Sequence, residues 1–147
     1  MLKDEARKII ESEFEHGEDH AFYHYNCAET LLKSCNEYYG LGLDEKALKL
    51  MIPFGGGFYS ERACGVLTGA LSALGVMYGE EKPTDQKKLK AAAKEWVEVF
   101  EGHFGSIECA SLKKTHRDEV KKCAPLMMEG AQLFEEFVSR FNEKWKG

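Results

Sequence analysis

Apolar residues recur along this chain every three or four positions, and almost nowhere at every second position. Leu2, Ala6, Ile9, Ile10 and Phe14 mark one face of a helix reaching about His16, which Gly17 ends. Asn26-Cys27-Ala28-Glu29 has the form of a capping box, with Asn26 as N-cap. That helix runs through Leu31, Leu32 and Cys35 to about Tyr39 and stops at Gly40. Asp44 caps a short helix carrying Ala47, Leu48 and Met51, which Pro53 terminates. After Gly55-Gly56-Gly57 a nearly uncharged helix runs from about Ser60 to Tyr78. Thr84 is placed to cap a charged helix whose stripe is Leu89, Ala92, Ala93, Trp96, Val99 and Phe100, continuing to Phe104. Gly105-Ser106 starts a short helix holding Cys109 and Leu112. Pro125 opens the last one, with Leu126, Gly130, Leu133, Phe134, Phe137, Phe141 and Trp145 on one face. The pattern predicts an all-α, compact single-domain bundle of about six or seven helices over residues 1–147. Its central helix is buried and rich in Gly and Ala. The flexible stretches expected are 16–26, the glycine loop and 79–84.

The central helix carries Gly65, Gly69 and Ala73 at four-residue intervals, a smooth stripe against which another backbone can lie closely. Each glycine inside a helix costs about 1 kcal/mol relative to alanine, so a compensating contact is expected. Close helix packing is the simpler use of the stripe. The functional alternative is that Gly55, Gly56, Gly57, Gly65 and Gly69 make room for a cofactor or ligand beside Cys64. The stripe could equally serve a homo-oligomer interface.

Composition narrows the function. A chain of 147 residues with 44% hydrophobic and 31% charged residues is long enough for one well-filled core. A net charge of −5 and a pI near 5.6 argue against nucleic-acid binding. The longest uncharged run, Ala63 to Tyr78, is shorter than a membrane span requires, and the acidic start of the chain does not read as a secretory signal. A cytoplasmic location follows as the expectation. In that compartment five cysteines point to metal binding, redox work or core packing rather than to a disulfide framework.

Four of the five occupy the same kind of place. Cys27 follows an N-cap, Cys64 enters the central helix, Cys109 falls in a first turn, and Cys123 stands two residues before Pro125. Unpaired N–H groups and the helix dipole at such positions favour thiolate over thiol. Cys35, mid-helix beside Leu31 and Leu32, reads as a buried structural thiol. No Cys-x-x-Cys occurs, so neither a thioredoxin-type pair nor a zinc ribbon is encoded locally, and there is no Cys-x-x-Cys-His for haem.

Taken in order, Asn-Cys27-Ala-Glu, the triple glycine, Cys64-Gly65-x-x-x-Gly69, Gly105-Ser106-x-x-Cys109-x-x-Leu112 and Cys123 before a terminal helix resemble the C_GCAxxG_C_C family, small redox-active proteins named for their spaced cysteines. The resemblance runs from about Tyr25 to Phe137. It implies that Cys27, Cys64, Cys109 and Cys123 are the family's four cysteines and leaves Cys35 outside. The chain departs from the pattern at Val66, where the family usually has Ala, and at Ala63, where Gly often precedes the cysteine. Both add bulk beside Cys64. A similar domain in split-Soret cytochrome c is associated with an iron–sulfur centre.

Other arrangements are weaker. Glu13-x-x-His16 is half of a di-iron motif without its second half. His16, His20 and His24 are four apart, but Gly17 interrupts any helix through them, so they read as surface or loop residues. Lys113-Lys114 and Lys121-Lys122 read as solvated faces. The tyrosines near the cysteines could shield a redox site, though core packing is their ordinary use.

The expected function is that of a redox protein whose four cysteines form one site, acting with an unidentified redox partner. In one form the thiols exchange with disulfides, Cys64 being the nucleophile because its loop is open and its position dipole-activated. In the other, Cys27, Cys64, Cys109 and Cys123 are the ligands of an iron–sulfur cluster of the two-iron type for electron transfer. Four thiolates together repel one another unless protons or metal neutralise them, which favours metal if all four meet. The contrasting reading is a non-catalytic helical binding module whose cysteines only pack.

Overall fold

The computed structural model describes residues 1–147 and contains seven α-helices and no β-strand. They are α1 (Leu2–Glu11), α2 (Cys27–Tyr39), α3 (Glu45–Leu48), α4 (Gly65–Tyr78), α5 (Lys87–Phe104), α6 (Cys109–His116) and α7 (Ala124–Lys144). None is long and apolar enough to cross a membrane.

Most boundaries follow the local chemistry. Asn26 Oδ1 accepts from Glu29 N at 2.9 Å, and Asn26 N donates to Glu29 Oε1 at 3.1 Å, closing the capping box. Gly40 (φ 62°) and Gly105 (φ 85°) turn left-handed where α2 and α5 end. Asp44 caps α3 through Ala47 N, and Pro125 lies in the first turn of α7.

Four boundaries differ from the sequence expectation. The first α-helix stops at Glu11; the chain continues as a 3₁₀ segment over Ser12–Tyr23, broken at Gly17 (φ 57°, ψ −125°). The stretch expected to be flexible is held there because Glu13 grips both His20 and His24 through its carboxylate. A second 3₁₀ segment, Lys49–Phe54, carries the chain past Pro53. Helix α5 begins at Lys87 instead of near Thr84, because the Gln86 side chain ties down Glu80 and Lys82. The central helix begins at Gly65, since Gly57–Glu61 forms a separate turn in which Phe58, Tyr59 and Glu61 all have positive φ.

Helix α4 lies at the centre, packed on α2, α5 and α7. Trp96 of α5 fills the space between them, within 5.0 Å of the Phe134 ring centroid and 5.6 Å of Phe137, and donates its indole N–H to Leu67 O at 3.2 Å. The extra bulk of Val66 is housed by α7. A Cβ on Gly130 would stand 2.3 Å from Val66 Cγ1, so the absent side chain of Gly130 is the seat of Val66. Gly130→Ala is expected to destabilise the fold by about 1–3 kcal/mol through overpacking. Adding Val66→Ala should recover part of that loss, so the double variant unfolds later in urea than the sum of the singles predicts.

Candidate functional site

Four helix starts converge on one end of α4. Cys27 and Cys109 are the first residues of α2 and α6; Cys64 and Cys123 are the N-cap residues of α4 and α7. The glycine stripe brings α2 and α4 together. A Cβ on Gly65 would lie 2.6 Å from Cys27 Sγ and 2.8 Å from Ala28 N, and one on Gly69 would lie 2.5 Å from Ala28 O. The backbone of α4 therefore rests on that of α2, with the Cys27 sulfur against the residue following Cys64. Cys109 is tied in by two short backbone bonds: Cys64 N donates to Ile107 O at 2.7 Å, and Cys109 N to Arg62 O at 2.6 Å. An ion pair between Lys113 Nζ and Glu61 Oε1 at 2.9 Å reinforces that join from outside.

All five cysteines are free thiols, but they differ in access. Cys64 is 3% exposed and Cys109 8%, whereas Cys27 and Cys123 are half-buried. Burial pushes the Cys64 thiol up to about 12, and the neighbouring Cys27 adds to the rise. The Val66 and Leu67 N–H groups at the helix start favour the thiolate, as the helix-dipole argument requires, though without a formed capping hydrogen bond; Cys109 opposes them. Desolvation wins, so Cys64 is not the open, activated nucleophile expected from its position. Burial also raises Cys109 and Cys123, each opposed in part by Lys113 and Arg117 and reinforced by Cys27. A Cys27 charge is felt at Cys64, Cys109 and Cys123, and a Cys109 charge at Cys64 and Cys123, so these thiols act on one another. Cys35 stands apart, fully buried in mid-helix beside Tyr39, and its thiol is pushed far up by burial alone.

The three loop glycines have backbone uses. Gly55 lies against the Asn26 side chain, where a Cβ would stand 2.3 Å from its Cγ; Gly56 and Gly57 have φ of 58° and 62°. Two cations escaped the sequence reading. Lys113 is four residues after Cys109, so the two share a helix face; that spacing was the available signal. Arg117 follows the end of α6, where nothing local points it at a thiol. Of the histidines, His20 and His24 bind Glu13 at 3.0 and 2.9 Å, and His16 stacks on Tyr23.

An all-sulfur donor set suits a soft metal. However, no group of three or more His, Cys, Asp or Glu side chains is arranged so that it could hold a metal ion.

The raised acidities have a sign that can be checked. Below about pH 9 the Cys64 thiol is protonated in both folded and unfolded chains; above it the unfolded chain loses the proton first, so folding stability falls between about pH 9 and 12. Alkylation of Cys64 in the folded protein is expected to accelerate about tenfold per pH unit across the same window, read by mass spectrometry after iodoacetamide pulses.

Neither the curated proteins nor the solved structures yield a match to this chain. A family match is found over residues 25–137, which include all four helix-start cysteines, and its description reads "Putative redox-active protein (C_GCAxxG_C_C)". The chain belongs to the C_GCAxxG_C_C family of redox-active proteins.

Proposed function

We propose that the protein exchanges electrons with disulfide substrates through its clustered thiols, with Cys27 as the sulfur through which exchange passes. The observation that carries this reading is that Cys27 is half-buried, lies against Gly65, and influences Cys64, Cys109 and Cys123 alike.

The Cys27 thiolate attacks one sulfur of a substrate disulfide. The substrate S–S bond breaks, a mixed disulfide forms, and the departing thiolate takes up a proton. Cys64, losing its proton, then attacks the Cys27 sulfur and releases the second substrate thiol. The protein is left with a Cys27–Cys64 disulfide, and the substrate has gained two electrons and two protons. Cys64 is suited to this second step. The Cys27 charge that holds its proton on is absent once Cys27 is bound in the mixed disulfide, and the Val66 and Leu67 N–H groups then act with less opposition. A dithiol donor restores the reduced protein by the reverse sequence.

The test is disulfide mapping. Protein purified without oxygen is equilibrated with a small disulfide, quenched with acid, alkylated and digested. Cys27 is expected in the first disulfide formed, paired with Cys64. If Cys27 stays alkylated while other cysteines pair, the assignment is wrong. If the anaerobic protein carries stoichiometric iron and sulfide, the exchange reading itself gives way to a cluster on the same four residues.

A further inference from the structure

A cavity of about 890 Å³ opens between the 3₁₀ segment Ser12–Tyr23 and the turn leading into α7. That volume lies in the range of small-molecule sites. Its apolar lining is Ile10, Phe14, Ala21, Val120, Ala124 and Met128. Two of these stand well out of the core: Phe14 is 62% exposed and Val120 86%. Exposed apolar groups gathered around a concavity mark a surface that something covers.

The charges lining the cavity decide what that is. Glu13 has both carboxylate oxygens engaged by His20 and His24. Burial raises its pKa, but those two partners outweigh it and hold the carboxyl below its ordinary value, so its charge is already matched inside the protein. Arg7 is paired with Asp4 at 3.2 Å. Lys121 and Lys122 form no ion pair within 4.0 Å, and their turn is fixed by Asp118 Oδ1, which accepts from Val120 N and Lys121 N at 2.8 and 2.7 Å; the same carboxylate feels both lysines from outside the cavity and offsets part of their charge. Against these two lysines stands one unpaired acid in the lining, Glu11.

We propose that this cavity binds a small amphipathic anion, a carboxylate carried on an apolar chain or ring. The headgroup lies against Lys121 and Lys122, and the apolar body covers Phe14, Val120 and Met128. The site is separate from the thiols, since none of the five cysteines lines it. It adjoins them through Lys122 and Ala124, the neighbours of Cys123 in sequence, so a bound anion also steadies the turn that leads to that thiol.

Isothermal titration with decanoate, decylammonium and 1-decanol tests this, with vesicles of anionic phospholipid as a fourth arm. Decanoate is expected to bind one per chain and about tenfold more tightly than either other amphiphile, as two surface ion pairs allow. Lys121→Gln combined with Lys122→Gln should reduce decanoate to the affinity of decanol. Ala21→Trp, an addition at an exposed position of the rim, should block all three ligands without disturbing the core. No binding, equal binding of alcohol and carboxylate, binding that survives both variants, or binding to vesicles alone would each overturn the proposal. None of these measurements depends on disulfide exchange.

Discussion

Replacing Cys27 with serine is expected to lower disulfide-reducing turnover by on the order of 10³-fold, while the thermal transition of the protein barely moves. The serine fits: the sulfur it replaces is half-buried against Gly65, and oxygen is smaller. What is lost is a half-buried thiol whose charge acts on Cys64, Cys109 and Cys123. The companion variants separate roles. Cys64→Ser leaves the first attack intact and removes the second, so a mixed disulfide should accumulate on Cys27, visible as a mass increase of one substrate thiol. Cys35→Ser should show the opposite profile, with turnover unchanged but stability reduced by about 1–3 kcal/mol, because a hydroxyl replaces a fully buried thiol. Should Cys27→Ser retain turnover, the site does not work through this sulfur.

Gly69→Ala is expected to loosen the contact between α2 and α4. Its Cβ would meet Ala28 O at 2.5 Å and Leu31 Cβ at 2.9 Å, and the carbonyl belongs to the backbone of α2, which cannot rotate aside. Overpacking of this kind costs about 1–3 kcal/mol and occasionally more, against a gain in helix propensity of about 1 kcal/mol. The net loss, up to about 2 kcal/mol, lowers Tm by up to about 4–8 °C for a chain of this size. The functional effect is larger than stability implies, because α2 can relieve the clash only by moving away from α4 and taking Cys27 with it. Gly102→Ala is the control. It lies within α5, a Cβ there meets nothing within 4 Å, and the substitution should stabilise by about 0.5–1 kcal/mol. Scanning calorimetry and disulfide turnover on both variants check the pair.

How much of this was legible beforehand depended on whether the determining interaction was local. Asn26 with Glu29, Asp44, Gly40, Gly105 and Pro125 announce their helix boundaries because each acts on backbone groups within four residues of itself. The placing of four cysteines at four helix starts was legible for the same reason. The turn at Gly57–Glu61 was not. Phe58 and Tyr59 adopt φ of 63° and 55°, which no aromatic residue signals in sequence and which only the surrounding contacts impose. The acidity of Cys64 failed on the same ground: the helix dipole is local, but the burial that overrides it comes from α2 and α6 closing over the sulfur. The contributions of Lys113 and Arg117 likewise depend on where the fold sets α6 and the residue after it relative to Cys109 and Cys123.

The glycine seams also partition the site mechanically. Helix α4 is clamped on one flank where Gly65 and Gly69 touch α2, and on another where Val66 enters the notch at Gly130 of α7. The sulfurs of Cys27 and Cys64 are mounted on that clamped frame. Cys123 is mounted differently, at the end of a short turn secured by the Asp118 carboxylate and one backbone bond between Asp118 and Lys122. A change of volume at the cysteines therefore meets packed backbone on the α2 and α7 flanks of α4, but only this hydrogen-bonded turn beside Cys123.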